Sequence, residues 1–202
     1  KGFEGSGFDI ASSLRDMILS LDTTKETNRL AQFADARKRA LSAREERRKS
    51  AGNKEVVIEN AVTKKLLDID KIIQAKNYPA AETELKQLLE QNPSESRIYY
   101  TLGRVASLAA EGASEAETKR HLLKAKAAYE KVISSALANN DATKVDTALV
   151  SLSYIAVARI HEFYGETEVA IKIYEAAIKL NNTTDESYKQ AVAAREKLMK
   201  EQ

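Results

Sequence analysis

Residues 77–106 read NYPAAETELKQLLEQNPSESRIYYTLGRVA, and the rest of the chain is best understood outward from them. Pro79 suits the first turn of a helix, where its missing N–H would have had no partner anyway. Ala81, Leu85 and Leu88 then follow at four and three residues, the spacing of one helix face. Asn92-Pro93 stops that helix, because the position before a proline is pushed out of the α region. A second helical pattern begins at once, with Tyr99, Leu102, Gly103 and Ala106 again three or four apart. Small residues set among large ones let two helices approach closely, so this stretch predicts a helix–turn–helix pair with a shared apolar seam.

The same punctuation recurs on both sides. Before the pair, residues 9–21 carry Ile10, Leu14, Met17, Ile18 and Leu21 at helical spacing, 25–50 form a more polar helix, and 54–76 form a third with Ile69, Ile72 and Ile73 inward. After it, a helix over 94–111 ends at Gly112. Ser114 and Glu117 have the form of a capping box for a helix that runs to about Ala138. Asp141 is the expected cap of the next helix, which reaches Tyr164, and Gly165 ends it. Residues 167–180 and 185–200 complete the series. No segment alternates with period two, so no strand is predicted. The chain of 202 residues contains only 7 Gly and 2 Pro, which leaves room for little besides helix.

The pair repeats. Ala81, Leu85 and Leu88 correspond to Ala125, Tyr129 and Val132, and to Ala170, Tyr174 and Ala177. The preceding helices correspond too: Tyr99-x-x-Leu102-Gly103-x-x-Ala106, Tyr154-x-x-Val157-Ala158-x-x-His161, and Tyr188-x-x-Ala191-Val192 at the end. These residues resemble the tetratricopeptide repeat, whose pattern is W-x2-L-G-x2-Y, then A-x3-F, then P. The resemblance covers about residues 62–202. It implies a right-handed α-α superhelix of helix pairs, an array of about three pairs plus a closing helix over 54–202; the residues before it read as a linker over 1–8 and extra N-terminal helices over 9–53, so the whole is an all-α fold. The intervals depart from the pattern, since Ala81 to Ala125 is 44 residues and Ala125 to Ala170 is 45. Against a period of about 34, each interval holds roughly ten extra residues. They are expected as added helical turns around 106–119 and 135–148, with the middle pair projecting beyond the stack.

The resemblance also implies where a ligand sits, on the concave face lined by the first helix of each pair. Arg104 and Arg159 are the equivalent residues after Gly103 and Ala158, with Arg97, Tyr100, Leu152, Ile155 and Phe163 nearby. Two guanidiniums beside apolar surface suit a carboxylate or an acidic peptide; two solvated arginines are the plainer alternative. Leu66 and Asp70 occupy the places where chaperone-binding members of the family carry a Lys and an Asn, so chaperone tails are not the expected ligand.

Other candidates are weaker in chemistry. Over 35–54 eight cations, including Arg37, Lys38, Arg44 and Arg48, face three anions, a net of +5 in a chain whose total is +2. A solvated helix explains this run most simply, and contact with nucleic acid, anionic lipid or an acidic protein is the alternative. The run has no interleaved aromatics of the kind that stack on bases. His121 and His161 are the two histidines, and His161 falls at an inward repeat position, so a core imidazole is expected. Tyr78, Tyr99, Tyr129, Tyr154, Tyr174 and Tyr188 are expected as packing residues. There is no phosphate-binding Gly loop, dinucleotide fingerprint or nucleophile elbow, and no carboxylate pair stands out as buried. With 0 Cys, thiolate chemistry and disulfides are excluded. No apolar run is long enough to span a bilayer.

The resulting expectation is a non-catalytic scaffold that binds a protein or peptide, with no cofactor, metal or small-molecule substrate. The alternative is an assembly domain of a longer protein, secreted or periplasmic. The Lys1 start reads as a fragment or a mature form lacking its signal peptide, and both cytoplasm and periplasm stay open.

Overall fold

The computed structural model describes residues 61–139, 145–180 and 186–201, together with Ser42. Every regular element among these is an α-helix and none is a strand. The linker over 1–8, the helices expected over 9–21 and 25–50, and the basic residues Arg37, Lys38, Arg44 and Arg48 lie outside the described residues.

The helices are α1 (Ala61–Gln74), α2 (Tyr78–Gln91), α3 (Ser96–Ala110), α4 (Glu115–Ala138), α5 (Thr147–Phe163), α6 (Thr167–Leu180) and α7 (Glu186–Lys200). Their starts are set by side chains that satisfy the free N–H groups of a first turn. Asn77 accepts from the Ala80 N–H at 3.3 Å to begin α2, with Pro79 in its first turn. Ser114 accepts from the Glu117 N–H at 3.4 Å, as the capping box predicts, and its hydroxyl donates to the Glu117 carboxylate at 2.9 Å. The start of α5 differs from expectation: its cap is Asp146, which accepts from the Leu149 N–H at 3.2 Å. Asp141 lies outside the described residues. Both acids are good caps by composition, and which one is used depends on where the chain re-enters the core at Val145, which is buried.

Two helix ends share one geometry. Gly165 has φ 72° after α5, with Gly165 N–H bonded to the Glu162 carbonyl and Glu166 N–H to the His161 carbonyl, both at 2.9 Å. Lys76 takes the same place after α1 with φ 57°, its N–H on the Ile73 carbonyl at 2.8 Å and the Asn77 N–H on the Ile72 carbonyl at 3.1 Å. This is the left-handed helix stop, normally the province of glycine.

Each helix packs on the next in chain order, and α5 also touches α3 and α7. The repeated small–large–apolar trios, Ala81–Leu85–Leu88, Ala125–Tyr129–Val132 and Ala170–Tyr174–Ala177, are all buried. Burial of a side chain such as Leu85 contributes about 1.5–3 kcal/mol relative to exposure. Two apolar clusters result. One joins α1, α2 and α3 through Ile69, Ile73, Leu85, Ile98 and Val105. The larger runs from Ala106 of α3 through Tyr154 and Tyr174 to Leu198 of α7. Gly103 stands where α3 meets α4, and a Cβ added there would lie 2.7–2.8 Å from the ring of Tyr129. The glycine is therefore a contact residue for that ring.

The extra length lies partly where it was not expected. Helix α3 ends at Ala110 and a turn through Gly112 separates it from α4, so 106–119 is not continuous helix. Ala81 and Ala170 are the fourth residues of α2 and α6, whereas Ala125 is the eleventh of α4. Most of the added helix is thus two turns at the start of α4, which the Ser114 box secures. At the other end α4 stops at Ala138, with the Asn139 N–H on the Ala136 carbonyl, rather than running on toward Ala148.

Candidate functional site

Side chains tie α1 to α3 and α5 to α7. Arg104 Nη1 bonds Asp70 Oδ1 at 2.9 Å, and Asp70 Oδ2 accepts from Gln74 Nε2 at 2.8 Å. Arg97 Nη1 bonds Thr63 Oγ1 at 2.9 Å. Arg159 Nη2 bonds Gln190 Oε1 at 3.2 Å. Thr63 to Arg97 and Asp70 to Arg104 are both separations of 34 residues.

Between these helices stands a group of tyrosines. The rings of Tyr100 and Tyr129 lie 5.6 Å apart at 59°, a tilted aromatic contact. The Tyr129 hydroxyl meets Ser107 Oγ at 3.4 Å. Burial raises the Tyr129 phenol to about 12, against the Ser107 hydrogen bond and the charges of Arg104 and Arg159. Burial likewise raises Tyr100, and the same two guanidiniums oppose it. The two arginines, 55 positions apart in the sequence, therefore act on one pair of phenols. Tyr174 donates to the Glu162 carboxylate and is raised by burial first and then by Glu162, while Arg159 works against both.

The expected groove residues separate accordingly. Tyr100, Arg104 and Arg159 come together, with Leu152 and Phe163 exposed along α5 at 36% and 53%. Two expectations need correction. Ile155 is 3% exposed and belongs to the core, because α5 has neighbours on four sides and its inner flank is covered by α3 and α7. Arg97 is not open to a ligand: Nε and Nη2 hold both oxygens of Glu95 at 2.8 Å, and Nη1 is on Thr63. It lines a different feature, a cleft of about 1040 Å³ between the α2–α3 turn, the end of α4 and the start of α5, with Val132, Ala136 and Leu149 as its floor.

Arg159 makes no ion pair with a carboxylate among the described residues. Arg104, by contrast, is already partnered by Asp70, 34 residues before it. His161 is buried, with Nδ1 paired to Glu166, as a core imidazole should be. Glu130 was missed outright. Its residue is 4% exposed, Lys126 Nζ lies 3.8 Å from Oε1, and that oxygen accepts no hydrogen bond among the described residues. Burial raises its carboxyl to about 7, with Lys126 only partly opposing. No sequence signal marks it, since neighbouring Lys124, Lys126 and Lys131 give the segment the look of a polar face.

Among the described residues no cluster of three or more acids and histidines is placed to hold a metal ion. No helix among them is long and apolar enough to cross a membrane. The chain matches no model of a known protein family, no curated protein and no solved structure.

Proposed function

We propose that the helices form a tetratricopeptide-like superhelix and that its inner face, at α3 and α5, binds an acidic segment of another protein without chemistry of its own. The observation that carries this reading is the state of Arg159: an exposed guanidinium with no carboxylate partner among the described residues, beside Arg104 on the same two tyrosines. An arginine fork presents donors in a plane that matches a carboxylate, and a neighbouring cation strengthens the attraction. The superhelical arrangement is supported by the buried trios, by packing in chain order and by the repeat-length offsets between α1 and α3.

The test is capture of partners from the source organism's lysate by the whole chain and by an Arg104→Glu/Arg159→Glu variant of equal helicity by circular dichroism. Recognition on this face predicts a partner retained by the first and lost by the second. A partner retained equally by both sinks the reading.

A further inference from the structure

The side-chain bonds that tie one helix to another fall into two sets. Arg104 holds Asp70 at 2.9 Å, Lys65 holds Glu84 at 2.8 Å and Lys124 holds Glu82 at 3.2 Å, all within α1–α4. Arg159 with Gln190 at 3.2 Å, Arg195 with Glu175 at 2.9 Å, and Tyr174 with Glu162 lie within α5–α7. Among the described residues one such bond crosses between the sets, from the Tyr164 hydroxyl to the Lys119 carbonyl at 3.4 Å. Asp146, the cap of α5, also reaches Arg97 through its charge. Otherwise the two groups of helices are joined by the apolar cluster that passes from α4 into α5. Apolar contact is non-directional, so it holds two bodies together without fixing their angle as hydrogen bonds do. The cleft of about 1040 Å³ between the α2–α3 turn, the end of α4 and the start of α5 marks the same division from outside.

Glu130 lies in this seam. On α4, Lys124 turns to α2 and Tyr129 to α3. Glu130 follows Lys119 by 11 residues, about three turns at 3.6 residues per turn, which puts it on the side of α4 that meets Tyr164 of α5. The residue is 4% exposed, and Oε1 accepts no hydrogen bond among the described residues. Lys126, on the same helix, is the charged group that acts on it, and none on α3, α5 or α6 does. Protonated, the carboxyl is a buried neutral group. Ionised, it is a buried charge, and water admitted between α4 and its neighbours in α5–α7 is what would solvate it.

We propose that α1–α4 and α5–α7 move as two bodies about the α4–α5 seam, and that ionisation of Glu130 opens it. Burial keeps the carboxyl protonated up to about pH 7, so the seam is closed below that value and opens above it. Arg104 belongs to the first body and Arg159 to the second. The opening therefore changes the separation of the two guanidiniums, whatever the inner face binds.

Double electron–electron resonance between spin labels tests this in the whole chain, whose 0 Cys leave introduced cysteines as the only attachment points. Labels at Gln87 of α2 and Lys172 of α6 span the seam. Labels at Gln87 and Ala127 of α4, or at Lys172 and Glu196 of α7, stay within one body, and all four positions are exposed. Between about pH 5.5 and about pH 8.5, on either side of the Glu130 titration, the spanning distance is expected to broaden and shift by several ångströms while the other two hold. Glu130→Gln is expected to keep the spanning pair at its acid distribution throughout. Lys126→Met, which removes the opposing charge, is expected to move the change to higher pH. A spanning distribution as narrow as the others and unmoved by pH would overturn the proposal entirely. One that is broad at both pH values, in wild type and Glu130→Gln alike, would leave the two bodies and overturn the part given to Glu130. All three pairs broadening together would mean loss of the fold in place of a hinge, and would overturn it as well.

Discussion

Replacing Glu130 by Gln removes one buried titration while keeping the shape of the side chain, and its effect should depend on pH in a defined direction. The carboxyl is raised from 4.5 to about 7 by burial in α4, and Lys126 at 3.8 Å offsets only part of that. Between those values the folded protein holds a proton that the unfolded chain has released, so wild-type stability falls as pH rises through this window. The stabilisation from the protonated form is complete below 4.5 and gone above 7. A shift of this size corresponds to about 3 kcal/mol at 1.36 kcal/mol per unit. Glu130→Gln should therefore gain about 3 kcal/mol on wild type above pH 7 relative to the difference between them below pH 4.5. Urea denaturation followed by far-UV circular dichroism, repeated across that range, measures it. Other carboxylates, such as Glu82 and Glu95, are held low by their Lys and Arg partners, but they titrate equally in both proteins and cancel from the difference. Parallel stability curves for the two proteins would show that Glu130 is ionised and solvated in the fold, and the reasoning would fail.

Two further outcomes follow from local geometry. Gly103→Ala should lower stability, because the new Cβ meets the Tyr129 ring at 2.7–2.8 Å. Overpacking of about 1–3 kcal/mol is set against about 1 kcal/mol of gained helix propensity, and Tyr129→Leu in the same chain should remove most of the penalty of the added methyl. An urea midpoint that rises for Gly103→Ala alone would refute the contact. Lys76→Gly should stabilise by about 1 kcal/mol, since Lys76 holds the left-handed position at φ 57° that Gly165 fills after α5. An unchanged or lower midpoint would show that the lysine side chain contributes more than the strain removes.

The parts of the fold that were legible in the sequence are those fixed within a few residues of themselves. The Ser114–Glu117 box, the proline at the start of α2, the Asn92-Pro93 stop and the glycine after α5 each act through backbone groups no more than about a turn away, and each stands where the pattern placed it. The trios at Ala81, Ala125 and Ala170 were legible for a related reason: a helix face with a small residue beside large ones has few ways to be covered other than by another helix. The cap of α5 was misjudged because Asp141 and Asp146 offer the same local chemistry, and burial of Val145 decides between them.

The candidate site was legible only in its arginines. That Arg104 and Arg159 occupy equivalent positions follows from the repeat, whereas Ile155, one residue after another repeat tyrosine, looked equally well placed and is in the core. Arg97 looked like a third groove cation and is consumed by Glu95 and Thr63. Glu130 sits in a lysine-bearing stretch and is nonetheless buried.

The sequence by itself determined that the described residues are helical, where most of their helices begin and end, and which small and large residues are buried in the seams, because those outcomes depend on propensity, capping and periodicity within one element. Only the tertiary structure decided which side chains stay available. Arg104 finds Asp70 34 residues away, Tyr129 finds Ser107 22 residues away, and α5 is hemmed in by four other helices until one stripe remains. Exposure and charge pairing depend on neighbours that sequence distance does not reveal, and for that reason Arg104, on Asp70, and Arg159, on Gln190, differ only in the folded chain.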